Sequence, residues 1–294
     1  MIKEFNKICK TIEDVNMKKY NTFRLETKAK YMCFPSSILE LQELLTLIKK
    51  NKLKFFVLGN GSNVVLPEYY DGVIIKLEKF NNSKFISENM LYVESGYMLN
   101  KLANEVTNMG FKGLDFAVGI PGTVGGSIYG NAGCYGSSMS EILIAATVFD
   151  GKKIITMTNE DFKFGYRTSI LKEKHKNYIL LSCQLRVSMG DREELLNQVK
   201  ERMAKRMASQ DLTHPSNGSV FRNPEGLIAG KLIDDMGMKG TRIGDAMVSY
   251  KHANFIINDG KATSTDVVKL IKKVKREVKK HYNIDLVLEQ EILK

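Results

Sequence analysis

No uninterrupted apolar stretch in the sequence approaches the roughly 18 to 20 residues that a membrane-spanning helix requires, so membrane insertion is not expected. Cysteine is sparse: Cys9, Cys33, Cys134 and Cys183 lie far apart, form no CxxC pair and have no histidine at ligand spacing. That argues against structural zinc and for a reduced, cytoplasmic chain. The histidines (His175, His214, His252 and His281) show no metal spacing either. Five scattered prolines announce no long linker, and there is no internal repeat or low-complexity run. The opening MIKEFNKICKTIEDV lacks the hydrophobic block of a secretory signal. Acidic residues are also in deficit, 33 against 44 Lys plus Arg, for a net charge of +11. What is present is ordinary for a folded protein: 294 residues, 43% hydrophobic and 26% charged, enough for one large domain or about two.

Local signals suggest mixed structure. Residues 28–35, 54–58, 73–77 and 91–94 read as strands. Ser37 with Glu40 makes a capping box before a helix carrying Ile38, Leu41, Leu44, Leu45 and Ile48 on one face. A second helix spans about 98–109 and is stopped by Gly110. Residues 142–187 look β-rich, with a hairpin at Asp150-Gly151. A charged helix follows over about 193–208. Thr263 and Asp266 cap another that runs to about His281, with Val267, Ile271, Val274 and Val278 on one face. Residues 283–293 read as a closing strand. The irregular alternation favours α+β over a regular βαβ sheet.

Glycine is unevenly spread. Residues 119–136, GIPGTVGGSIYGNAGCYG, hold 7 of the 23 glycines. A second loop, GNGSN at 59–63, follows the strand FFVL. Such loops allow a ligand close to bare backbone N–H groups, which suits phosphate; two together could hold one extended ligand. Neither is a Rossmann fingerprint, because Gly59-Asn60-Gly61 lacks the third glycine and no helix follows. Gly226 to Gly230-Lys231 fails as a Walker motif, with three intervening residues and Leu232 in place of Ser or Thr. The competing reading is a pair of tight turns.

VLGNGSNVVL (57–66) followed by GLDFAVGIPGTVGGSIYGNAGCYG (113–136) resembles the UDP-N-acetylenolpyruvoylglucosamine reductase (UDP-N-acetylmuramate dehydrogenase) family. The resemblance continues through NTFR (21–24), FGYRTS (164–169), PSNGSVFRNP (215–224), SYKHANFIIN (249–258) and LVLEQEI (286–292). It implies an α+β chain with an FAD-binding fold of the vanillyl-alcohol-oxidase type in two subdomains, about 22–78 and 79–195. An N-terminal helical segment, 1–21, would precede it and a substrate-binding α+β domain, 196–294, would follow. The absence of an aromatic insertion after FGYR implies the shorter, type II branch. The implied cofactor is FAD, with NADPH as co-substrate and a UDP-linked enolpyruvyl sugar as substrate, in peptidoglycan synthesis; a monomer is expected. The cofactor would be held by Gly59, Asn60, Gly61, Ser62, Asn63, Gly119, Pro121, Gly122, Gly125, Gly126, Ser127, Asn131 and Ala132, with Tyr129 packing on or bonding the flavin.

The same resemblance places the chemistry. Hydride addition to the enolpyruvyl double bond leaves an enolate, which needs a charge stabiliser and a proton donor. Ser219 matches the family's proton donor, although most Gly-Ser pairs are simply turn residues. Arg167 matches the arginine that clamps the substrate carboxylate; a guanidinium stays charged and binds bidentately. Glu291 matches the C-terminal acid, with Glu289 as the alternate on the same face of an expected strand. Arg24, Tyr166, Arg222, His252 and Asn254 would contact substrate or nicotinamide, although each arginine alone reads as surface and His252 alone as structural. Asp211 stands where the family has proline, Asn217 where it has alanine, and Gln290 where it has proline.

Two other functions compete. One is a flavin oxidoreductase of the same fold acting on a small alcohol or hydroxy acid. The other is a basic nucleic-acid-binding module, supported only by charge and lacking zinc spacing or an aromatic-plus-glycine motif. Residues 261–282 alone hold eight basic against two acidic side chains, opposite an apolar stripe. The charge therefore reads as a solvated helix face, with no nucleic-acid partner expected.

Overall fold

Short-range chemistry sets several of the helices in the computed structural model, which describes residues 1–294. Thr263 Oγ1 accepts from Asp266 N while Asp266 Oδ2 accepts from Thr263 N, a complete capping box for the helix Ser264–Tyr282. Ser37 Oγ likewise accepts from Glu40 N at the start of Ile38–Lys50, but Glu40 turns its carboxylate to Ser36 rather than to the cap. The helix Leu99–Asn108 ends before Gly110, whose φ of +87° only glycine adopts at little cost. The Asp150-Gly151 turn joins antiparallel strands Leu143–Phe149 and Ile154–Thr158, with Asp150 Oδ1 accepting from the backbone N–H of Lys152 and Lys153.

The chain divides into two compact units, each discontinuous in sequence. The first takes residues 1–12, 32–60 and 73–203; the second takes 13–31, 61–72 and 204–294. In the first, an antiparallel sheet runs in the order Ile154–Thr158, Leu143–Phe149, Ile179–Arg186, Met90–Glu94, Ser83–Ser87. Its core includes Leu91, Val93, Leu102, Val106, Ile128, Val148 and Leu185. In the second, Ser216–Ser219, Phe255–Asn258, Ala246–Val248 and Arg242–Ile243 form an antiparallel sheet in that order. The helix Ser264–Tyr282 buries Val267, Leu270, Ile271, Val274 and Val278 in the core of the same unit, with Phe23, Val65, Phe221 and Leu286. Each such side chain contributes about 1.5 to 3 kcal/mol on burial. Lys269, Lys272, Arg276, Lys279 and Lys280 are exposed on the opposite side, the solvated face expected from the sequence.

Three expectations are corrected. Residues 1–21 are not uniformly helical: a helix Ile2–Ile8 is followed by a strand Lys10–Asn16. The glycine-rich segment contains a short helix, Val124–Tyr129, because Thr123 Oγ1 caps Gly126 N. The expected closing strand at 283–293 is reduced to Glu291–Ile292, paired in parallel with Val64–Val65. Glu289 and Gln290 lie in a bend, so the alternation that would place Glu289 and Glu291 on one strand face does not hold there.

Candidate active site

Within the first unit the two glycine segments meet. A methyl group at Gly59 would lie 2.8 Å from Thr123 Oγ1, and one at Gly125 would lie 2.8 Å from Ser95 Cβ. Both positions therefore demand glycine for close approach rather than for chain reversal. Gly125 N donates to Ser95 O and Leu99 N to Gly122 O, which fixes the path of the second loop. Sequence reasoning missed Lys76, a buried cation whose Nζ donates to the carbonyl of Gly59. Burial lowers its pKa, and nearby Glu78 partly opposes that. The signal was faint, since a lysine ending an apolar strand usually points to water. A glycine cradle beside a buried amine fits a phosphate-bearing cofactor.

Asn131, with φ +46°, is buried in this loop, its Nδ2 donating to Gly165 O and its Oδ1 accepting from Ser140 N. It thereby ties the loop to the FGYR turn. Gly165 N and Thr168 N each donate to the other residue's carbonyl, which leaves Tyr166 and Arg167 at the corner. Arg167 occupies the left-handed region at φ +60°, and its Nη2 donates to Gly133 O at 2.6 Å. Its guanidinium stands 5.1 Å from the centroid of the Tyr166 ring. A methyl group on Gly133 would come within 3.1 Å of Arg167 Nη1 and 2.5 Å of Ser137 O, so glycine at 133 leaves room for the arginine. Non-glycine residues at positive φ cost of order 1 to 3 kcal/mol and cluster where function requires them.

Ser219 and Glu291 belong to the second unit. Ser219 ends the strand Ser216–Ser219 and pairs with Phe255. Glu289 N donates to Val220 O and Glu291 N to Asn63 O, so the segment bearing the acid lies beside the strand bearing the serine. Asn63, from the GNGSN loop, donates from Nδ2 to Glu289 O. Gly61, at φ +66°, faces the Tyr20 carbonyl too closely for any side chain. Arg24 is exposed at φ +54° on a turn whose ends are both held by the buried Asn21: Nδ2 donates to Met17 O and Leu25 O, and Oδ1 accepts from Leu25 N. Arg222 N donates to Val287 O.

Two residues expected at the substrate have structural tasks. Asn254 is 4% exposed; its Oδ1 accepts from Phe221 N and its Nδ2 donates to Phe221 O, standing in for a neighbouring strand. His252 Nδ1 accepts from Asn254 N at 3.3 Å, with the ring tilted against Phe255 at 4.4 Å. Burial lowers the His252 pKa below its ordinary 6.5, partly opposed by a backbone hydrogen bond and assisted by the Lys239 charge. As pH falls through 6.5 the unfolded chain therefore takes up a proton before the folded one does. Stability is lost from there down to the folded pKa and is flat below it. His252→Gln should remove that portion of the acid-side slope in thermal melting between pH 7 and pH 5; superimposable slopes would contradict this assignment.

Asp211 gathers the loop ahead of Ser219. Burial raises its pKa, but hydrogen bonds from the Thr213 and His214 side chains and backbone outweigh that and hold it at about 2. His214 is set between Asp211, 2.9 Å from Nδ1, and Asp259, 3.4 Å from Nε2.

Two family models match the chain: FAD binding domain over residues 29–156, and UDP-N-acetylenolpyruvoylglucosamine reductase, C-terminal domain, over residues 210–293. The UDP-N-acetylenolpyruvoylglucosamine reductase of Caldicellulosiruptor bescii is 41% identical over 285 residues, 96% of this chain and 89% of that one. The enzyme of the same name from Clostridium novyi is 37% identical over 282 residues, 95% and 91% of the two chains. The crystal structure of UDP-N-acetylenolpyruvylglucosamine reductase from Thermus caldophilus superposes with a TM-score of 0.81 at 30% identity, over 97% of this chain and 99% of that one. A chitooligosaccharide oxidase structure, at TM-score 0.50 and 14% identity over 64% of this chain, shares the fold alone. On sequence, on family models and on fold, this chain belongs to the UDP-N-acetylenolpyruvoylglucosamine reductase family.

Proposed function

We propose that this protein is a cytoplasmic, NADPH-dependent flavoenzyme that reduces the enolpyruvyl ether of a UDP-N-acetylglucosamine to the corresponding lactyl ether. The observation that carries the assignment of roles is the seating of Ser219 beside the segment of Glu291, with Arg167 fixed on the glycine loop by Gly133. The oxidoreductase of small alcohols that shares this fold has no comparable support. No helix is long and apolar enough to cross a membrane.

FAD would be held in the cradle of Gly59, Asn60, Gly122, Gly125 and Gly126, beside the buried amine of Lys76. When bound, it carries the hydride from NADPH to the terminal carbon of the substrate double bond. The chain supplies the rest. Arg167 pairs with the substrate carboxylate and stabilises the negative charge that develops on it as the enolate forms. Glu291 is the carboxyl placed to assist at the same group; Glu289 is the alternate. Ser219 Oγ gives its proton to the enolate carbon, leaving the C–H bond of the lactyl group. Arg24, Tyr166 and Arg222 supply further contacts to a substrate rich in negative charge.

Purified protein should be yellow, with the spectrum of oxidised flavin. Anaerobic NADPH should bleach it, and the UDP-linked enolpyruvyl sugar should then restore the colour with stoichiometric formation of the lactyl ether. A protein that cannot be loaded with FAD, or one whose flavin is reduced by small alcohols and reoxidised by oxygen but not by this sugar, would overturn the assignment.

A further inference from the structure

The backbone around Ser219 is gathered by a side chain that the proposed reaction does not use. Gln290 is only 3% exposed, and its Nε2 lies 3.4, 3.3 and 3.4 Å from the carbonyl oxygens of Asn217, Gly218 and Ser219. Three successive carbonyls reach one amide because the chain turns at Gly218, where φ is +69°. The amide has only one workable orientation. Exchanging its oxygen and nitrogen would aim Oε1 at three other oxygens, with no hydrogen between them.

This arrangement has a cost. Gln290 Oε1 is itself buried and accepts no hydrogen bond from the protein. A buried carbonyl without a partner is destabilising, so folding stability alone does not explain the residue. The rest of the turn is braced separately. Asn217 Nδ2 donates to Val64 O at 2.9 Å, and Thr22 Oγ1 donates to Asn217 Oδ1 at 2.6 Å. Ser216 pairs with Ile257 and Ser219 with Phe255, with an irregularity between the two pairs. At the Gly218 corner the N–H donates only at 3.5 Å, to Ser216 Oγ, and the carbonyl accepts from Gln290 at 3.3 Å.

We propose that Gln290 is a positioning residue for Ser219, fixing the backbone from which the proton-donating hydroxyl projects by drawing three carbonyls to one amide. The proposal rests on the reading of Ser219 as proton donor. It also accounts for the orphaned Oε1 as the consequence of placing the donor end of the amide where the turn requires it.

The test uses the flavin-loaded enzyme. Gln290→Met fills similar space with no donor, and Gln290→Asn keeps the amide but withdraws it by one methylene. Either should slow flavin reoxidation by substrate by between about tenfold and a hundredfold, the scale of misplacing a reacting group by an ångström or less. Bleaching by NADPH should be unchanged. The amides of residues 217–219 should exchange with deuterium faster, and a variant combined with Ser219→Ala should be no slower than Ser219→Ala alone. Wild-type reoxidation in both variants would overturn the proposal. So would equal slowing of both half-reactions, or slowing that multiplies with that of Ser219→Ala, since either marks a general structural role. If Ser219→Ala itself reoxidises normally, the donor assignment has failed instead, and the two failures are told apart by that control.

Discussion

Ser219→Ala should be bleached by NADPH at the wild-type rate and then remain reduced for a long time in the presence of the enolpyruvyl sugar. Removing a positioned general acid typically costs about 10² to 10⁴ in rate. Here the loss falls on one half-reaction, because the hydroxyl is needed only where the new C–H bond forms. The side chain is small and half-buried at a strand end, and the flanking hydrogen bonds run through backbone and through Asn217 and Gln290. Its replacement by alanine should therefore leave the fold and the flavin content intact. Stopped-flow absorbance of the two half-reactions is the measurement. Slowing of both steps, or of neither, would remove Ser219 from the role of donor.

Arg167→Lys should be almost as damaging, by about 10² to 10³ in kcat/KM for the sugar, the cost of losing one preorganised donor at a developing anion. Lysine keeps the charge but not the fork. One guanidinium arm is held by Gly133 O at 2.6 Å, and an ammonium cannot make that contact and face the substrate carboxylate together. Gly133→Ala offers a second check: its methyl would crowd Arg167 Nη1, and Ser137 O and Ser138 Cβ more closely still, without touching the charge. It should reproduce part of the Arg167→Lys defect, with the KM for NADPH unaffected. A lysine variant within about threefold of wild type, well under the tenfold that 1.36 kcal/mol represents, would show that the arginine does not act on the reacting centre.

What the sequence made legible is what short-range chemistry determines. The Thr263–Asp266 capping box, the Gly110 stop and the Asp150-Gly151 hairpin each involve residues a few positions apart, and each is found as expected. Glycine spacing also located two loops that meet at Gly59 and Thr123. The failures share the opposite character. The closing segment is shaped by Val64, Val65 and Val220, far away in sequence, so neither its short strand nor the bend at Gln290 can be read from its own residues. The bonds of Asn254 to Phe221 and the packing of His252 on Phe255 are tertiary contacts that their motif does not announce. Lys76 is not singled out by the sequence, because its burial is a tertiary fact. The interleaving of the two units is likewise a tertiary fact: residues 13–31 and 61–72 join residues 204–294 with no local signature of doing so.

The tie between Asn63 and Glu289 spans 226 residues, and that between Thr22 and Asn217 spans 195. During synthesis, then, Thr22 and Asn63 emerge long before the residues that complete their surroundings. The entropic cost of closing such long loops falls late, after the first unit has most of its own chain available for folding. Until Glu289, Gln290 and Glu291 have left the ribosome, the strand bearing Ser219 has its sheet partner Phe255–Asn258 but not the Gln290 amide, and the Val64–Val65 edge stands unpaired. The surroundings of Ser219 are thus completed only once Glu289 has returned to Asn63, 226 positions earlier.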